Sequence, residues 1–597
     1  MSVVIGRRLN YLPNRKWIFL LLIATIPLSL KASPTSDWIA LNGVAIDKSG
    51  KYAFVIGYQS RTLFAIDLAH GTRKDLTSFS EPCTGIASIH DKLIVTCSRN
   101  ENWCYIVEQK DGSQQSRFKA GHGVCAPVVG SNTHRLYVCN RFDNSVTSYD
   151  LKTHHILATI PAVREPIAAA LSADERFLVV SNLLPNGPAD AQTVTSMVTI
   201  IDTAGLCVWT NLALPNGSTA TRGVAISPSG QWCAVAHNIA RFQVPTTQVE
   251  QGWMNESGLT LIDLTNGLRA ATVLLDEPER GAANPWAVAF SSDGSVLVVT
   301  HSGTHDLSLI DFPALLAKLE GKMDGRVVDD FTFLKGIRNR VPLSGNGPRS
   351  MAVTKNGLVV AGYFSDTLEQ VDLVQTNNAS RLLWKSPNLN PKINEGERLF
   401  HDATICHQQW QSCASCHPDA RADGLNWDLL NDGIGNPKNT KSLLLSPQTP
   451  PSMSLGIRTG ADKAVRSGLR GILFALRPEE EARAIDLYLR ELKPYPSPRL
   501  VNGSLSSDAE KGKVLFKTAG CVQCHNGPYM TNLRSYNVGT GNGAESDLAF
   551  DTPSLIEAWR TAPYLHDGSA VTITDIFQKH NHSNRHGKTA HLTEDQL

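Results

Sequence analysis

Leu136-Tyr137-Val138-Cys139-Asn140, with Tyr149-Asp150 closing the next apolar run, is one copy of a pattern that fills most of the first part of the chain. The run is short and rich in Leu, Val and Tyr, which suits a strand better than a helix. From about residue 40 to 375 the same order recurs: an apolar strand, a Ser/Asp/Gly turn, a second apolar strand, a polar gap, then a strand ending in Asp. First strands begin near Gly43-Val44-Ala45-Ile46, Gly85-Ile86-Ala87, Ala126-Pro127-Val128, Pro166-Ile167-Ala168, Gly223-Val224-Ala225-Ile226, Pro285-Trp286-Ala287-Val288 and Pro348-Arg349-Ser350-Met351-Ala352. Turns such as Ser227-Pro228-Ser229-Gly230 and Ser292-Asp293-Gly294 join them to the second strands. Third strands close at Asp67, Asp150, Asp202, Asp263, Asp311 and Asp372. Repeats of this length predict a seven-bladed all-β propeller, in which each blade buries its faces against its neighbours.

The repeat resembles the propellers built from YVTN-type units, and Leu136 to Asn140 is the closest local match. Two repeats carry long insertions, Leu183 to Ser196 and Asn238 to Ser257. Insertions in a repeat fold emerge on one face, so these either dock a partner or the rest of the chain, or cover the propeller edge.

Beyond the repeats, Cys-x-x-Cys-His occurs twice, as Cys413-Ala414-Ser415-Cys416-His417 and Cys521-Val522-Gln523-Cys524-His525. Each reads as an attachment site for haem c: two thiols at this spacing both form thioethers to the vinyl groups, and the adjacent imidazole reaches the iron. A thioredoxin-like dithiol or half a zinc site would need a βαβ pattern or a second Cys pair at finger spacing, and neither surrounds the motifs. The remaining Cys are Cys83, Cys97, Cys104, Cys125, Cys139, Cys207, Cys233 and Cys406. They read as small buried hydrophobes within strands, and in an oxidising compartment some can pair.

At 597 residues and 42% hydrophobic content the chain accommodates two or three domains with full cores. Lys plus Arg at 56 against Asp plus Glu at 55 leaves no basic excess, which argues against a nucleic-acid or anionic-membrane partner and is compatible with a small redox protein. Residues 1–32 read as an export signal: Arg7, Arg8, Arg15 and Lys16 precede an apolar run from Trp17 to Leu30, with Leu30-Lys31-Ala32 as the cleavage edge. The run is short for a membrane span. An uncleaved anchor is the alternative, because Lys31 sits awkwardly at that edge. Either way the bulk of the chain is expected in the periplasm or otherwise outside the cytoplasm.

Domain boundaries follow: a propeller over 40–375, a polar linker over 376–392, a first haem lobe over 393–498 and a second over 499–597. Amphipathic spacing predicts helices at Asn394 to Leu399, Asp462 to Phe474, Glu479 to Leu492 and Ser507 to Lys517. Pro494, Pro496 and Pro498 mark the join between the lobes. The second lobe reads as ending short of its closing helix, after Leu592-Thr593-Glu594-Asp595-Gln596-Leu597.

Ser412 to His417, Asp423-Gly424, Gly435 to Leu443, Phe550 to Leu555 and Thr561-Ala562-Pro563-Tyr564-Leu565-His566-Asp567-Gly568 together resemble the bacterial di-haem cytochrome c peroxidase family, with its methylamine-utilisation branch. The match covers about residues 390–597. It implies a mainly α domain of two lobes with two covalently bound haems c, His417 and His525 being the proximal ligands. In this family the first haem meets peroxide. Asn439, with the carbonyls of Thr561 and Pro563, matches the family's calcium site between the haems; oxygen-only ligands suit that hard cation. At the place of the second haem's distal ligand, a Met or Tyr in relatives, stands His580. It belongs to a polar cluster, His580-Asn581-His582-Ser583-Asn584-Arg585-His586, so a neighbouring histidine can substitute, and Met453 and Met530 are further alternatives. His566 is read as supporting the haem pocket through a hydrogen bond.

The first haem departs most from the family. The distal His of many relatives would fall near Asn431, and no histidine lies between His417 and His525. A five-coordinate iron open to peroxide is the implication. The family's distal Gln and Glu are not recognisable in Ser452 to Glu480, leaving the general acid/base unassigned. Arg466 and Arg470 are candidates to polarise a bound peroxide, against the plainer reading as surface arginines. Trp410 and Trp427 either bridge electrons between haems or pack in the core.

The function implied is an exported di-haem oxidoreductase. It would reduce hydrogen peroxide with electrons from a small donor, a c-type cytochrome or cupredoxin, while the propeller meets a partner not identified by sequence. Two alternatives stand beside it: an oxidase of a protein or organic substrate held by the propeller, and a non-catalytic electron-transfer or binding protein.

Overall fold

In the computed structural model, which describes residues 38–244, 254–373, 380–387, 391–429, 435 and 437–597, every expected inner strand is present. The expected signal at 1–32 lies outside the described residues, as does Asn431. Seven antiparallel sheets follow in chain order, and the first strands contact one another in a ring, Leu41–Ile46 closing against Pro348–Val353. The seven-bladed propeller is therefore complete. Its closure is specific: the Asp366 carboxylate accepts the Ile39 and Ala40 amides, both at 2.8 Å, and Trp38 donates from Nε1 to the Tyr363 carbonyl at 3.1 Å.

The Asp that ends six of the seven third strands has a visible cause. Asp67 accepts from the amides of Ala69 and His70, Asp150 from Lys152 and Thr153, and Asp202 from Ala204 and Gly205, so each carboxylate caps the turn into the next strand. Asp311 does the same for a helix, α1 (Phe312–Leu319), by accepting from the Ala314 amide.

Each blade also has a fourth, outermost strand after the third, which the expected repeat did not contain, such as Arg73–Ser78 and Gln114–Lys119. Except for Leu268–Leu274 of blade five these strands are largely exposed, and their sequence carries too little apolar alternation to announce them. The last, Ser380–Lys385, falls within the expected linker and pairs with Thr367–Asp372. Between blades the cores are apolar, as in the cluster of Phe54, Ile56, Leu63, Leu93, Val95 and Val107. Cys83 and Cys97 face each other across paired strands with sulfurs 3.7 Å apart. Among the other propeller cysteines only Cys207 is exposed.

The remaining chain is helical: α2 (Pro391–His401), the single turn α3 (Cys413–Cys416), α4 (Ala461–Gly471), α5 (Glu479–Glu491), α6 (Ser507–Thr518) and α7 (Ile573–His580). Leu399, Phe400, Leu469, Leu473, Ile485 and Leu489 form the core that joins α2, α4 and α5. No helix among the described residues is long and apolar enough to cross a membrane.

This region repeats itself. The short ladder Asn426–Trp427 with Lys438–Asn439 returns as Ser535–Tyr536 with Phe550–Asp551. Ser452 bridges Arg458 and Tyr564 bridges Ala570; Met453 and Leu565, then Gly456 and Gly568, share positive φ; α4 and α7 start at matching places. All these pairs from Ser452 onward are separated by one constant interval, so His580 on α7 has Gly468 as its counterpart on α4.

The helical region caps one face of the propeller, and residues 37–597 form one compact unit. Tyr58 of blade one meets Tyr495, Arg99 of blade two reaches the Pro494 carbonyl, and Tyr363 of blade seven reaches Glu397. Both long insertions serve this docking. Ala189 donates to the Gly568 carbonyl at 2.9 Å, and Asn255 donates to Gln411 at 2.8 Å.

Candidate functional site

Ser412 caps α3 with Ser415 in a reciprocal capping box, which fixes the single turn carrying Cys413 and Cys416. The His417 amide bonds the Cys413 carbonyl at 3.0 Å, so both sulfurs and the imidazole project from one face of the turn. Cys521–Gln523 forms the matching 3₁₀ turn, with the His525 amide on the Cys521 carbonyl at 2.9 Å. Two thiols and an imidazole converging in this way are the donor set that covalent haem requires, and both motifs fit the group.

The tautomers agree with that fit. His417 donates Nδ1–H to the Arg421 carbonyl at 2.9 Å, which would make Nε2 the metal-binding nitrogen; the Lys441 carbonyl also lies within hydrogen-bonding reach of the ring. His525 donates likewise to the Met530 carbonyl at 3.3 Å. Met530 thereby sits behind His525, on the proximal side. Burial lowers the pKa of both imidazoles and keeps them neutral.

The surroundings of the two motifs differ sharply. The first is pressed against the propeller: Asn284 donates to Ser412 Oγ and accepts from Ser415 Oγ, both at 2.8 Å, and Asn255 donates to Cys416 Sγ at 3.4 Å. The second faces outward, with Val522 37% and Leu533 41% exposed. Where the inner strands of the propeller meet the first motif, Trp286 is sandwiched by the Arg222 and Arg349 guanidiniums at 3.9 and 4.4 Å. Asn284, Trp286, His401 and Ala414 line a small cavity there.

Charge locks this junction. Asp419, two residues beyond His417, receives Arg141, Arg222 at 2.8 Å and Arg560 at 3.3 Å. Burial alone would raise its pKa, but the arginines outweigh burial and hold it well below the usual carboxylate range. Arg421, whose carbonyl holds His417, is in turn held by Glu557 at 2.6 and 3.0 Å. Glu557 ties the segment after the first motif to the segment after the second.

Arg466 is committed to Asp486 at 2.7 Å and Glu479 at 2.6 Å, joining α4 to α5, and Arg470 is exposed. Trp427 donates to Asp423 at 2.9 Å and packs with Val194, Phe242 and Met254 of the propeller, with Cys416 alongside. Trp410 packs edge-on to Phe331 at 5.2 Å. His566 pairs with Glu545 at 3.3 Å and stacks on Phe550 at 4.0 Å.

Asn439 lies beside this segment, its amide on the His566 carbonyl at 2.8 Å. The half-buried Arg164 guanidinium donates to the carbonyls of Pro185, Arg560 and Ala562, next in sequence to Thr561 and Pro563. Among the described residues no three His, Cys, Asp or Glu side chains cluster as a metal site. The Arg164 charge beside these carbonyls would compete with a calcium ion, and no step is assigned to that ion.

His580 ends α7 and His586 lies in the following loop, both half-buried; burial and then the charge of His525 lower the pKa of His586 to about 4. Asn255, Asn284, Arg141, Arg164, Arg222, Glu165 and Glu557 were not among the sequence candidates. Their partners lie far off in the chain, and no local motif marks them.

The family model described as "Cytochrome D1 heme domain" matches residues 89–236, all within the propeller. The chain is 30% identical over 269 residues to hydrazine synthase subunit gamma of Kuenenia stuttgartiensis, covering 36% of this chain and 76% of that one. It is 36% identical over 232 residues to cytochrome c551 peroxidase of Nitrosomonas europaea, covering 30% of this chain and 69% of that one. Methylamine utilization protein MauG of Methylorubrum extorquens is 25% identical over 256 residues, with 32% and 69% covered. A solved chain of Kuenenia stuttgartiensis hydrazine synthase superposes with a TM-score of 0.52 at 19% identity, covering 58% of this chain and 99% of that one, a likeness of fold.

Proposed function

Because this chain belongs to the bacterial di-haem cytochrome c peroxidase family, we propose that it is an exported oxidoreductase that reduces hydrogen peroxide with electrons from a small redox protein. The repeated helical region is read as two lobes, each holding one haem c: Cys413, Cys416 and His417 in the first, Cys521, Cys524 and His525 in the second. When bound, the haems supply one-electron redox chemistry and, at an open coordination position, a place for peroxide.

One observation carries this reading: two lobes of the same plan offer unequal ligands. The second lobe has histidines at and after the end of α7. The first has Gly468 at the counterpart of His580, and Ile472-Leu473-Phe474-Ala475 follows α4 with no ligating side chain. After His417 the first lobe offers no further imidazole among the described residues; His401, at the end of α2, and His407 both precede the motif. The outward-facing second motif is the entry for a c-type cytochrome or cupredoxin, and the buried first motif is kept from such contact by the propeller. The propeller acts as a rigid seat: Asn255, Asn284 and Asp419 with its arginines orient the first motif. With Arg466 held by carboxylates, the proton for the leaving water comes from solvent or from a group not yet assigned. That absence favours the second reading, a non-catalytic electron-transfer or binding protein whose propeller recognises a partner.

Stopped-flow mixing separates the two. Peroxidase function predicts that one peroxide, taking two electrons and two protons to give two waters, reoxidises both haems of the reduced protein. Inertness at millimolar peroxide would remove it.

A further inference from the structure

The loop after α7 is built around one histidine. Asn581, 4% exposed, accepts the His586 amide at 2.8 Å and donates to the carbonyls of His586 at 3.2 Å and Gly587 at 2.9 Å, and to Thr589 Oγ1 at 2.9 Å. A single buried side chain thus grips the backbone on both sides of His586.

The same loop is fastened to the second motif. The Lys588 amide donates to the Ala519 carbonyl at 2.9 Å, two residues before Cys521. Gly587 adopts φ +85°, and a Cβ placed there would lie 3.5 Å from the Ala519 carbonyl and 3.8 Å from Cys521 Sγ. Glycine is what this backbone conformation calls for, and the contact distances place the loop directly against the second motif. The ring of His586 stands 6.2 Å from that of Phe577 on α7, and its Nδ1 is buried without a hydrogen-bond partner. Buried polar atoms in folded proteins are nearly always bonded, so an orphan beside a cofactor motif points to something bound there.

His580 lacks these features. It is half-buried like His586, but it is the last residue of its helix, with no clamp of the kind that holds His586. We propose that His586, rather than His580, is the axial ligand opposite His525 at the second haem, an inference that rests on the di-haem reading above. The ligation is bis-histidine, which favours a lower reduction potential than a methionine-ligated haem and closes that iron to peroxide.

The test is the spectrum of the haem-loaded full chain, by optical absorption and electron paramagnetic resonance. His586→Ala should convert the low-spin haem to high spin, and added imidazole should restore low spin. His580→Ala should leave the spectrum unchanged. A wild-type spectrum in His586→Ala, or loss of low spin in His580→Ala alone, would overturn the assignment. If His586→Ala does not fold, His586→Met decides: a sulfur-to-iron charge-transfer band supports the ligand role, and its absence contradicts it. Failure of the di-haem reading would show separately, as fewer than two covalent haems in denatured wild-type protein.

Discussion

Arg560 and Glu165 form a two-point ion pair, Nε to Oε1 at 2.7 Å and Nη2 to Oε2 at 3.0 Å, with both side chains almost wholly buried. One comes from the helical region and the other from blade four of the propeller. Arg141 shares Glu165 and Asp419, so the junction is a network of alternating charge. Removing one partner of such a network strands the others in a medium that solvates them poorly. Glu165→Ala is expected to cost about 3–5 kcal/mol, read as a lower urea midpoint. Loss of less than about 1 kcal/mol would mean that water reaches the cluster.

The same pair sets an acid limit. Burial opposes ionisation of Glu165, but Arg560 and Arg141 outweigh burial and bring its pKa down to about 2 from 4.5. The folded value is depressed, so the stabilisation is fully present above about pH 4.5 and is lost as pH falls toward 2. The stability gap between wild type and Glu165→Gln should narrow by about 3 kcal/mol across that window. A gap independent of pH would contradict the pairing.

Closure of the propeller rests on Asp366, whose carboxylate takes the Ile39 and Ala40 amides at 2.8 Å each. Asp366→Ala leaves two buried donors unpaired, at a cost of about 1–3 kcal/mol apiece. Hydrogen exchange should accelerate first at Ile39 and Ala40. Protection retained at both amides would place the closure elsewhere.

Haem stoichiometry can be read without activity. A denaturing haemochrome assay should give two covalent haems per chain, and one in the double variant Cys521→Ala/Cys524→Ala. A single haem in the wild type would remove one motif from the account.

The propeller was legible because its inner and middle strands bury apolar side chains and its third strands end in turn-capping Asp. Asp67, Asp150, Asp202, Asp263, Asp311 and Asp372 each close a strand where the sequence placed it. The outer strands were hidden, since Arg73–Ser78 or Ser380–Lys385 must satisfy water as much as a neighbour. Helices read well: the spacing predicts Glu479 to Leu492 and Ser507 to Lys517, and α5 and α6 agree within a residue. The two motifs were legible because their chemistry is local. What seats them was not: Asn284 meets Ser412, and Glu165 meets Arg560, only after hundreds of intervening residues have folded. Nor does spacing alone choose between His580 and His586, because that choice depends on where Asn581 and Gly587 fix the loop.

The central claim is that two lobes of one plan hold unequal irons, the first open and the second closed. Spin quantitation of the resting ferric protein by electron paramagnetic resonance tests it most directly. The account predicts one high-spin and one low-spin haem in equal amounts, with only the high-spin signal shifting when a small anion such as azide is added. Two low-spin haems, neither responding to azide, would contradict it.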